Sequence, residues 1–142
     1  MAVITDIADA VVAQLNAGTF SQSFTAERAF LPVFELSDLK NVQVTVVPKG
    51  VAIIPGGRSH NQHDYAIDVA VQKKLDAADN AEIDPLVTLV DEIADFFRLK
   101  RLESYPGAVW LKTENEPVYS QEHLDQLRQF TGLLTFTFRV MR

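Results

Sequence analysis

Two segments of strict alternation constrain the fold of this chain more than any other feature of its sequence. The first places apolar residues at every second position: Tyr65, Ile67, Val69 and Val71. The second repeats this pattern close to the last residue: Leu134, Phe136, Phe138 and Val140. A period of two is typical of a strand with one buried face. Both segments therefore predict strands of a sheet that buries one face under another layer.

Two segments with a helical period can supply that layer. Residues 4–15 repeat apolar side chains at three- and four-residue spacing, and Gly18 is placed to end this helix in a left-handed conformation. A second helix is predicted to begin with Asp84 as its N-cap and Pro85 at its first position, and to end near Arg101. Its apolar stripe comprises Leu86, Leu89, Val90, Ile93 and Phe97.

The remaining predicted elements are an extended stretch at 20–34, short strands at 42–47, 51–54 and 108–111, and a brief helix capped by Ser120. This order predicts an α+β fold. We expect a mainly antiparallel mixed sheet with two main helices packed on one face and a short helix before the C-terminal strand. A chain of 142 residues can bury enough surface for one core, so residues 1–142 are expected to form a single domain.

Composition narrows the possible functions. The net charge of −6 and the scattered basic residues argue against a domain that binds nucleic acid by neutralising phosphates. The absence of cysteine excludes disulfides, thiolate metal ligands and a cysteine nucleophile. The first residues lack a signal-peptide pattern, and no run of eighteen apolar residues occurs, so we expect the protein to be made and kept in a cytoplasm.

Residues 55–64 hold the main concentration of possible metal ligands: His60, His63 and Asp64. Two imidazoles and a carboxylate are suitable donors for zinc or iron, but a site needs further ligands from a rigid element. The segment contains no apolar side chain except proline, and Gly56 and Gly57 lack the rest of a phosphate-binding loop. We interpret it as an exposed, mobile loop, and expect deletion of residues 57–63 to leave the fold intact.

Other candidate residues point to packing or to contacts between subunits rather than to catalysis. Asp91 and Asp95 lie off the apolar stripe of their helix, and no serine has the context of an activated nucleophile. Arg28 is either an edge residue with a snorkelling stem or a charged anchor at a subunit contact. Trp110 fits a core position and also fits an interface anchor. The sequence therefore predicts a non-enzymatic protein.

The strand at 65–75 followed by the segment at 84–93 resembles small neck and tail-completion proteins of long-tailed bacteriophages, in particular the tail terminator group. The opening helix, the region at 30–32 and the closing strand at 130–140 follow in the same order, so the resemblance covers nearly the whole chain. The similarity lies in the order of the segments and in their local sequence, since these families have few invariant residues.

The resemblance implies a structural virion protein without cofactor or catalytic residues. Such a subunit would form a hexameric ring on the finished tail tube, end tail polymerisation and offer the surface that joins the head. Its partners would be further copies, the tail tube protein and the head-side connector or stopper protein, with genomic DNA passing the lumen without sequence-specific binding. We expect it in the tail or neck of the virion, after assembly in the host cytoplasm. The candidate assembly contacts are Arg28, Gly56, Gly57, Arg58, His60, His63, Asp64 and Trp110.

Three alternatives remain open from sequence. Another head-tail connector component, the head-completion or stopper protein, has similar size and also assembles into rings. A small metal-dependent enzyme would use His60, His63 and Asp64. A host regulatory domain would bind a ligand between sheet and helix.

Overall fold

The structure, a computed structural model, describes residues 2–30, 41–77, 79–116 and 118–142. Two long helices, six strands and one short π-helical segment follow one another along the chain. Their bounds are α1 Val3–Ala17, β1 Ala26–Arg28, β2 Gln43–Pro55, β3 Asn61–Lys74, α2 Asn80–Phe97, β4 Arg101–Leu102, β5 Tyr105–Asn115, the π-helical segment His123–Leu127, and β6 Gln129–Met141. The prediction of an α+β fold with a short helix before the C-terminal strand is confirmed.

All six strands belong to one mixed sheet with the order β1-β2-β3-β6-β5-β4. β1 is parallel to β2, with Ala26 opposite Val44, and the other four pairings are antiparallel. The two alternating segments that the sequence singled out, β3 and β6, lie side by side at the centre, with Ile67 opposite Phe136. The most strongly patterned strands thus have a neighbour on both sides.

The core lies between one face of the sheet and the two long helices. From the sheet come Val46, Val69 and Leu134, which form one cross-strand row and are fully buried. The stripe of α2 predicted from sequence is buried as expected. The centre of its Phe97 ring lies 4.9 Å from that of Phe136, and the two rings are tilted by 60°. We refer to this side of the sheet as the helix face and to the other as the outer face.

The predicted ends of the helices differ from those in the structure. α2 begins five residues before Pro85, with Asp79 as its N-cap, because the Asp79 carboxylate accepts a hydrogen bond of 3.1 Å from the Glu82 N–H. Pro85 therefore lies inside the helix, which tolerates its missing N–H in the second turn, and α2 ends at Phe97 rather than near Arg101. Gly18 follows α1 as predicted, but its φ of −81° is not left-handed.

The predicted loop at 55–64 is wrong for half of its residues, because Pro55 and residues 61–64 are strand. β2 runs to Pro55 and β3 starts at Asn61, so the connecting turn is only residues 56–60. Long-range pairing explains the difference, because His63 lies between Ile53 of β2 and Val140 of β6. The backbone is paired on both sides, while the polar side chains of residues 62–64 stay half-buried. Deleting residues 57–63 would remove part of β3 that pairs with β2 and β6. The deletion is therefore expected to disturb the fold, contrary to the prediction from sequence.

Two other strands are longer or more continuous than predicted. The segments at 42–47 and 51–54 form one strand, β2, with a register shift between Pro48 and Gly50. β5 extends well beyond 108–111, and the short β4 at its edge was not predicted. Of the stretch at 20–34, only Ala26–Arg28 is strand among residues 20–30, and the region at 31–34 lies outside the described residues.

The short helix before β6 begins as predicted. The Ser120 hydroxyl accepts a hydrogen bond from the His123 N–H at 3.3 Å, and Leu124 packs against the core. Within the described ranges, neither long helix combines the length and apolar character that a membrane span needs.

Candidate assembly surface

The end of the sheet formed by β2, β3 and β6 projects as a hairpin arm, which we define as residues 51–65. β2 and β3 are the two antiparallel strands of this hairpin. The turn at 56–60 is closed by a hydrogen bond of 3.3 Å from the Gly56 N–H to the His60 carbonyl. The last residue of the chain secures the arm, since Asn61 and Arg142 exchange two backbone hydrogen bonds of 3.1 and 2.8 Å. The arm is therefore a three-stranded, hydrogen-bonded structure.

Large aliphatic side chains are exposed on both faces of this arm. Val51 and Ile53 lie on the helix face, with 49% and 56% of their surface exposed. Ile54 and Met141 lie in one cross-strand row on the outer face, with 51% and 49% exposed. Apolar side chains gathered at one end of a domain and half exposed on two faces are typical of a surface that another protein covers.

An ion pair fixes the base of the arm on the outer face. Arg139 of β6 donates to both carboxylate oxygens of Asp64 on β3, at 2.9 Å from Nε and 3.2 Å from Nη2. This hydrogen-bonded pairing lowers the pKa of Asp64 and raises that of Arg139. Asp64 is thus held as a carboxylate in the structure of the arm.

His63 and Asp64 do not form a metal site with each other. They are consecutive strand residues and point to opposite faces, where Asp64 binds Arg139 and His63 Nδ1 lies 3.2 Å from the Tyr65 hydroxyl. His60 belongs to the exposed turn. Among the described residues, no three histidine or acidic side chains are grouped as a metal site would require. The three donors considered from sequence are therefore not brought together.

Arg28 binds within its own chain. Its Nε lies 2.6 Å from the Asp9 carboxylate of α1, and its guanidinium lies 5.6 Å from the centre of the Phe30 ring. The ion pair ties β1 to α1, and Phe30 is the most exposed of these three residues, at 67%. Arg28 thus has a role within the fold that does not depend on a subunit contact.

Trp110 lies in β5 on the helix face, opposite Phe138, and is half-buried against the core. Its indole N–H donates to the Thr113 hydroxyl at 2.7 Å. Trp110 is also one of the residues that line an open groove on β5 and β6, together with Val109 and Met141. Trp110 therefore packs on the core, and its role as an interface anchor stays a prediction.

Of the predicted contact residues, four occupy the exposed turn at the tip of the arm: Gly56, Gly57, Arg58 and His60. The structure places His63 and Asp64 on the same arm, one on each face, with Trp110 close to its base. Six of the eight candidates therefore lie on the arm, and Arg28 lies apart from it on β1.

Sequence reasoning missed the aliphatic residues that dominate this surface. The run Val51-Ala52-Ile53-Ile54 is strand as predicted, but an apolar run indicates burial and does not tell what covers it. One feature of the sequence could have indicated this exposed surface. The run stands directly before a polar turn, and its apolar residues point to both faces of the strand. Met141 and Arg139 come from a strand distant in sequence, so no local pattern could place them here.

Comparisons with known proteins match this chain by its structure and not by its sequence. No protein-family model matches the chain, and no curated protein matches it by sequence. Among solved structures, it is similar to a chain from the virion of a native gene transfer agent particle, with a TM-score of 0.65 and 17% sequence identity. The alignment covers 99% of this chain and 98% of that chain. At this identity, the likeness shows a shared fold.

Tight packing between sheet and α2 argues against the alternative of a regulatory domain that binds a ligand there. The Phe97 ring of α2 packs on Phe136 and also on Phe138, whose centroid is 6.3 Å away, and all three are fully buried. A ligand between sheet and α2 at this point would have to displace these rings.

Proposed function

We propose that this protein is a structural virion component of the tail terminator type, and that residues 1–142 form a single domain of that kind. Copies of the chain assemble into a ring, a hexamer by analogy with the family it resembles. The ring caps the tail tube, ends tail polymerisation and offers the joining surface for the head. Two facts support the proposal: the order of segments in the sequence and a full-length fold match to a chain of a virion particle.

The observation that carries the proposal is the hairpin arm. Val51, Ile53 and Ile54 are about half exposed on a well-paired strand, whereas the same strand is fully buried at Val44 and Val46. Leaving such side chains in water costs about 25 cal/mol for each Å² of apolar surface that could be buried. An assembly subunit recovers this free energy when a neighbouring molecule covers the arm.

The proposal assigns the partners by surface. The aliphatic residues of the arm contact another copy or the tail tube protein, and the polar tip at 56–60 contacts the tube or the head-side connector. The net charge of −6 suits a lumen through which genomic DNA passes without being held, because like charges repel. No cofactor enters this function, and the protein acts in the tail or neck of the virion after assembly in the host cytoplasm.

The second candidate function is another head-tail connector component, the head-completion or stopper protein. Ring assembly through the same arm fits it equally, but such a ring would bind the head side and ignore growing tubes. The two functions therefore differ in one measurable respect, the response of tube growth.

Tube growth in vitro tests the proposal. Tail tube protein from the same virion is allowed to polymerise with and without this protein, and tube lengths are measured by electron microscopy. A terminator stops elongation and appears at tube ends. Tubes of unchanged length with bare ends would overturn the terminator function, and binding to isolated head connectors in that case would favour the stopper function.

A further inference from the structure

One edge of the sheet is closed by a side chain. At β1, the Asn16 carboxamide takes the place of a neighbouring strand: its Nδ2 donates to the Ala26 carbonyl at 3.2 Å, and its Oδ1 accepts from the Ala26 N–H at 2.8 Å. These are the two backbone groups that an added strand would bind, and occupying them protects the edge. At Ala26, the outer edge of β1 therefore has no free backbone group for another strand to bind.

β2 is not protected in this way beyond the short β1. Its residues 49–54 lie between Pro48 and Pro55, and in the described part of the chain no strand pairs with their outer side. Prolines at both ends interrupt backbone pairing there, because proline has no N–H. Among the strands of the described ranges, this edge is thus open over six residues, and it carries the exposed Val51 and Ile53.

A second open edge lies on the opposite side of the sheet. β4 covers β5 only as far as Trp110, whose N–H donates to the Lys100 carbonyl at 3.2 Å. Residues 112–115 of β5 pair with β6 on one side, Leu111 lies at a register shift, and none of the strands in the described ranges lies on the other side of 111–115. This second edge has nearly the same length as the first.

We propose that the open edge of β2 in one copy pairs with the open edge of β5 in the next copy, so that the sheets of neighbouring subunits join. The inference rests on the proposed function, because it names the contact that builds the ring. Within one chain β2 and β5 run in opposite directions, so a rotation that continues the sheet brings them together antiparallel. The contact is heterologous, and repeating it about an axis closes a ring.

The facing of side chains fixes the register of this contact. Val51 lies on the helix face and Ala52 on the outer face. On β5, Thr113 lies on the helix face opposite Phe136, and Lys112 lies on the outer face. Pairing Val51 with Thr113 and Ala52 with Lys112 keeps every side chain on its own face, whereas a slip of one residue reverses them all.

The same register matches charge and apolar character along the two edges. It places Gly50 opposite Glu114, so Lys49, whose Nζ lies 3.9 Å from Asp68 of its own chain, comes beside the Glu114 carboxylate of the neighbour, which lies 3.0 Å from its own Lys112. At the other end it places Ile53 opposite Leu111. Opposite charges and apolar pairs across strands both favour pairing, and prolines at 48 and 55 limit the contact to this stretch.

Disulfide trapping tests the contact, since the natural chain has no cysteine to interfere. The variant Ala52→Cys with Lys112→Cys carries one thiol on each open edge, and directly opposed residues of an antiparallel pair lie close enough for a disulfide, about 4.5–5.5 Å between Cα atoms. Mild oxidation of the protein, alone and with tail tubes, should give a ladder of covalent oligomers on a non-reducing gel. The control, Val51→Cys with Lys112→Cys, puts the thiols on opposite faces and should give at least tenfold less ladder.

The outcomes separate this inference from the proposed function. An assembled protein, by light scattering, that forms no ladder overturns the edge pairing and leaves the tail-capping function intact. Equal ladders from the two variants also overturn the pairing, because they would reflect random collision. A ladder specific to the first variant in a protein that ignores tail tubes supports the pairing and contradicts the tail-capping function.

Discussion

Arg139 and Asp64 form a two-point hydrogen bond between β6 and β3, with distances of 2.9 and 3.2 Å, at the base of the hairpin arm. The pair lies on the outer face in one cross-strand row with Ala52 and Val109. It therefore links the projecting arm to the strand that carries the last residues of the chain. The Asp64 carboxylate belongs to the support of the arm, and this leads to a prediction about pH.

Replacing Asp64 with Asn should remove a pH-dependent part of the stability. Arg139 lowers the pKa of Asp64 below 3.8 in the folded protein, so the pair adds to the free energy of unfolding above that pH. The contribution is lost as pH falls through the lowered pKa. Urea unfolding should show Asp64→Asn less stable than the natural protein at neutral pH, with the difference shrinking below pH 3.8 and vanishing once the pH lies below the lowered pKa of Asp64.

Asp91→Asn is the matched control for this comparison, because Asp91 is exposed on α2 and away from Arg139. Its stability should follow the natural protein at every pH. A difference for Asp64→Asn that persists unchanged at low pH would contradict the electrostatic account, since the charge would then be irrelevant.

Gly132 should be intolerant of a side chain. A Cβ at this position would lie 2.9 Å from the Val118 carbonyl oxygen and 3.2 Å from the Val90 side chain of α2. Gly132→Ala should lower the free energy of unfolding by about 1–3 kcal/mol, the usual cost of overpacking. Thermal or urea unfolding measures it. Gly57→Ala, whose Cβ would meet nothing within 4 Å, should stay within about 0.5 kcal/mol, and equal effects would refute the packing argument.

Asn16 should stabilise the protein through Ala26. Asn16→Ala leaves a buried backbone N–H and carbonyl without their partner, at a cost of about 1–3 kcal/mol in the free energy of unfolding. Asn16→Asp can still accept from the Ala26 N–H but cannot donate to its carbonyl. Its free energy of unfolding should therefore lie between those of the natural protein and Asn16→Ala. Chemical denaturation provides the comparison. An alanine variant as stable as the natural protein would show that the edge needs no such protection.

The exposed aliphatic residues of the arm should matter for assembly and little for folding. Val51→Ser with Ile53→Ser replaces two half-exposed side chains, so the free energy of unfolding should change by less than about 1 kcal/mol. The oligomer should be lost or its formation shifted to at least tenfold higher concentration. Analytical ultracentrifugation reports both mass and homogeneity.

Leu99→Asn serves as the control for the arm variant. Leu99 is 81% exposed, lies outside the arm and has a φ of 59°, which asparagine adopts more readily than leucine. It should assemble normally. If the control and the arm variant lose the oligomer alike, the effect is not specific to the arm.

The sequence predicted the fold where the pattern of a segment reflects its own burial. Ile67 and Phe136 lie on strands with one buried face, and the α2 stripe ending at Phe97 has the helical period of a helix against a sheet. The prediction failed at 61–64, because these polar residues are strand only through pairing with β2 and β6. The start of α2 also differed, since Asp79 and Asp84 are equally good caps and only tertiary context decides between them.

Of the candidate surface, the sequence predicted the polar tip and not the apolar part. A polar, glycine-containing segment correctly marked the tip at 56–60, since such residues cannot pack on themselves. The apolar part was missed because a run such as Val51–Ile54 has the same composition whether a helix or another subunit covers it. That difference lies in the tertiary structure, where α1 and α2 leave this end of the sheet uncovered.

The solution mass of the purified protein tests the central claim most directly. Light scattering over a concentration series, with the protein alone and mixed with the tail tube protein, distinguishes a ring from a single chain of 15.8 kDa. The account predicts one closed oligomer of fixed mass, formed alone or on tube ends. A mass that stays at 15.8 kDa at every concentration and in the presence of tubes would contradict it.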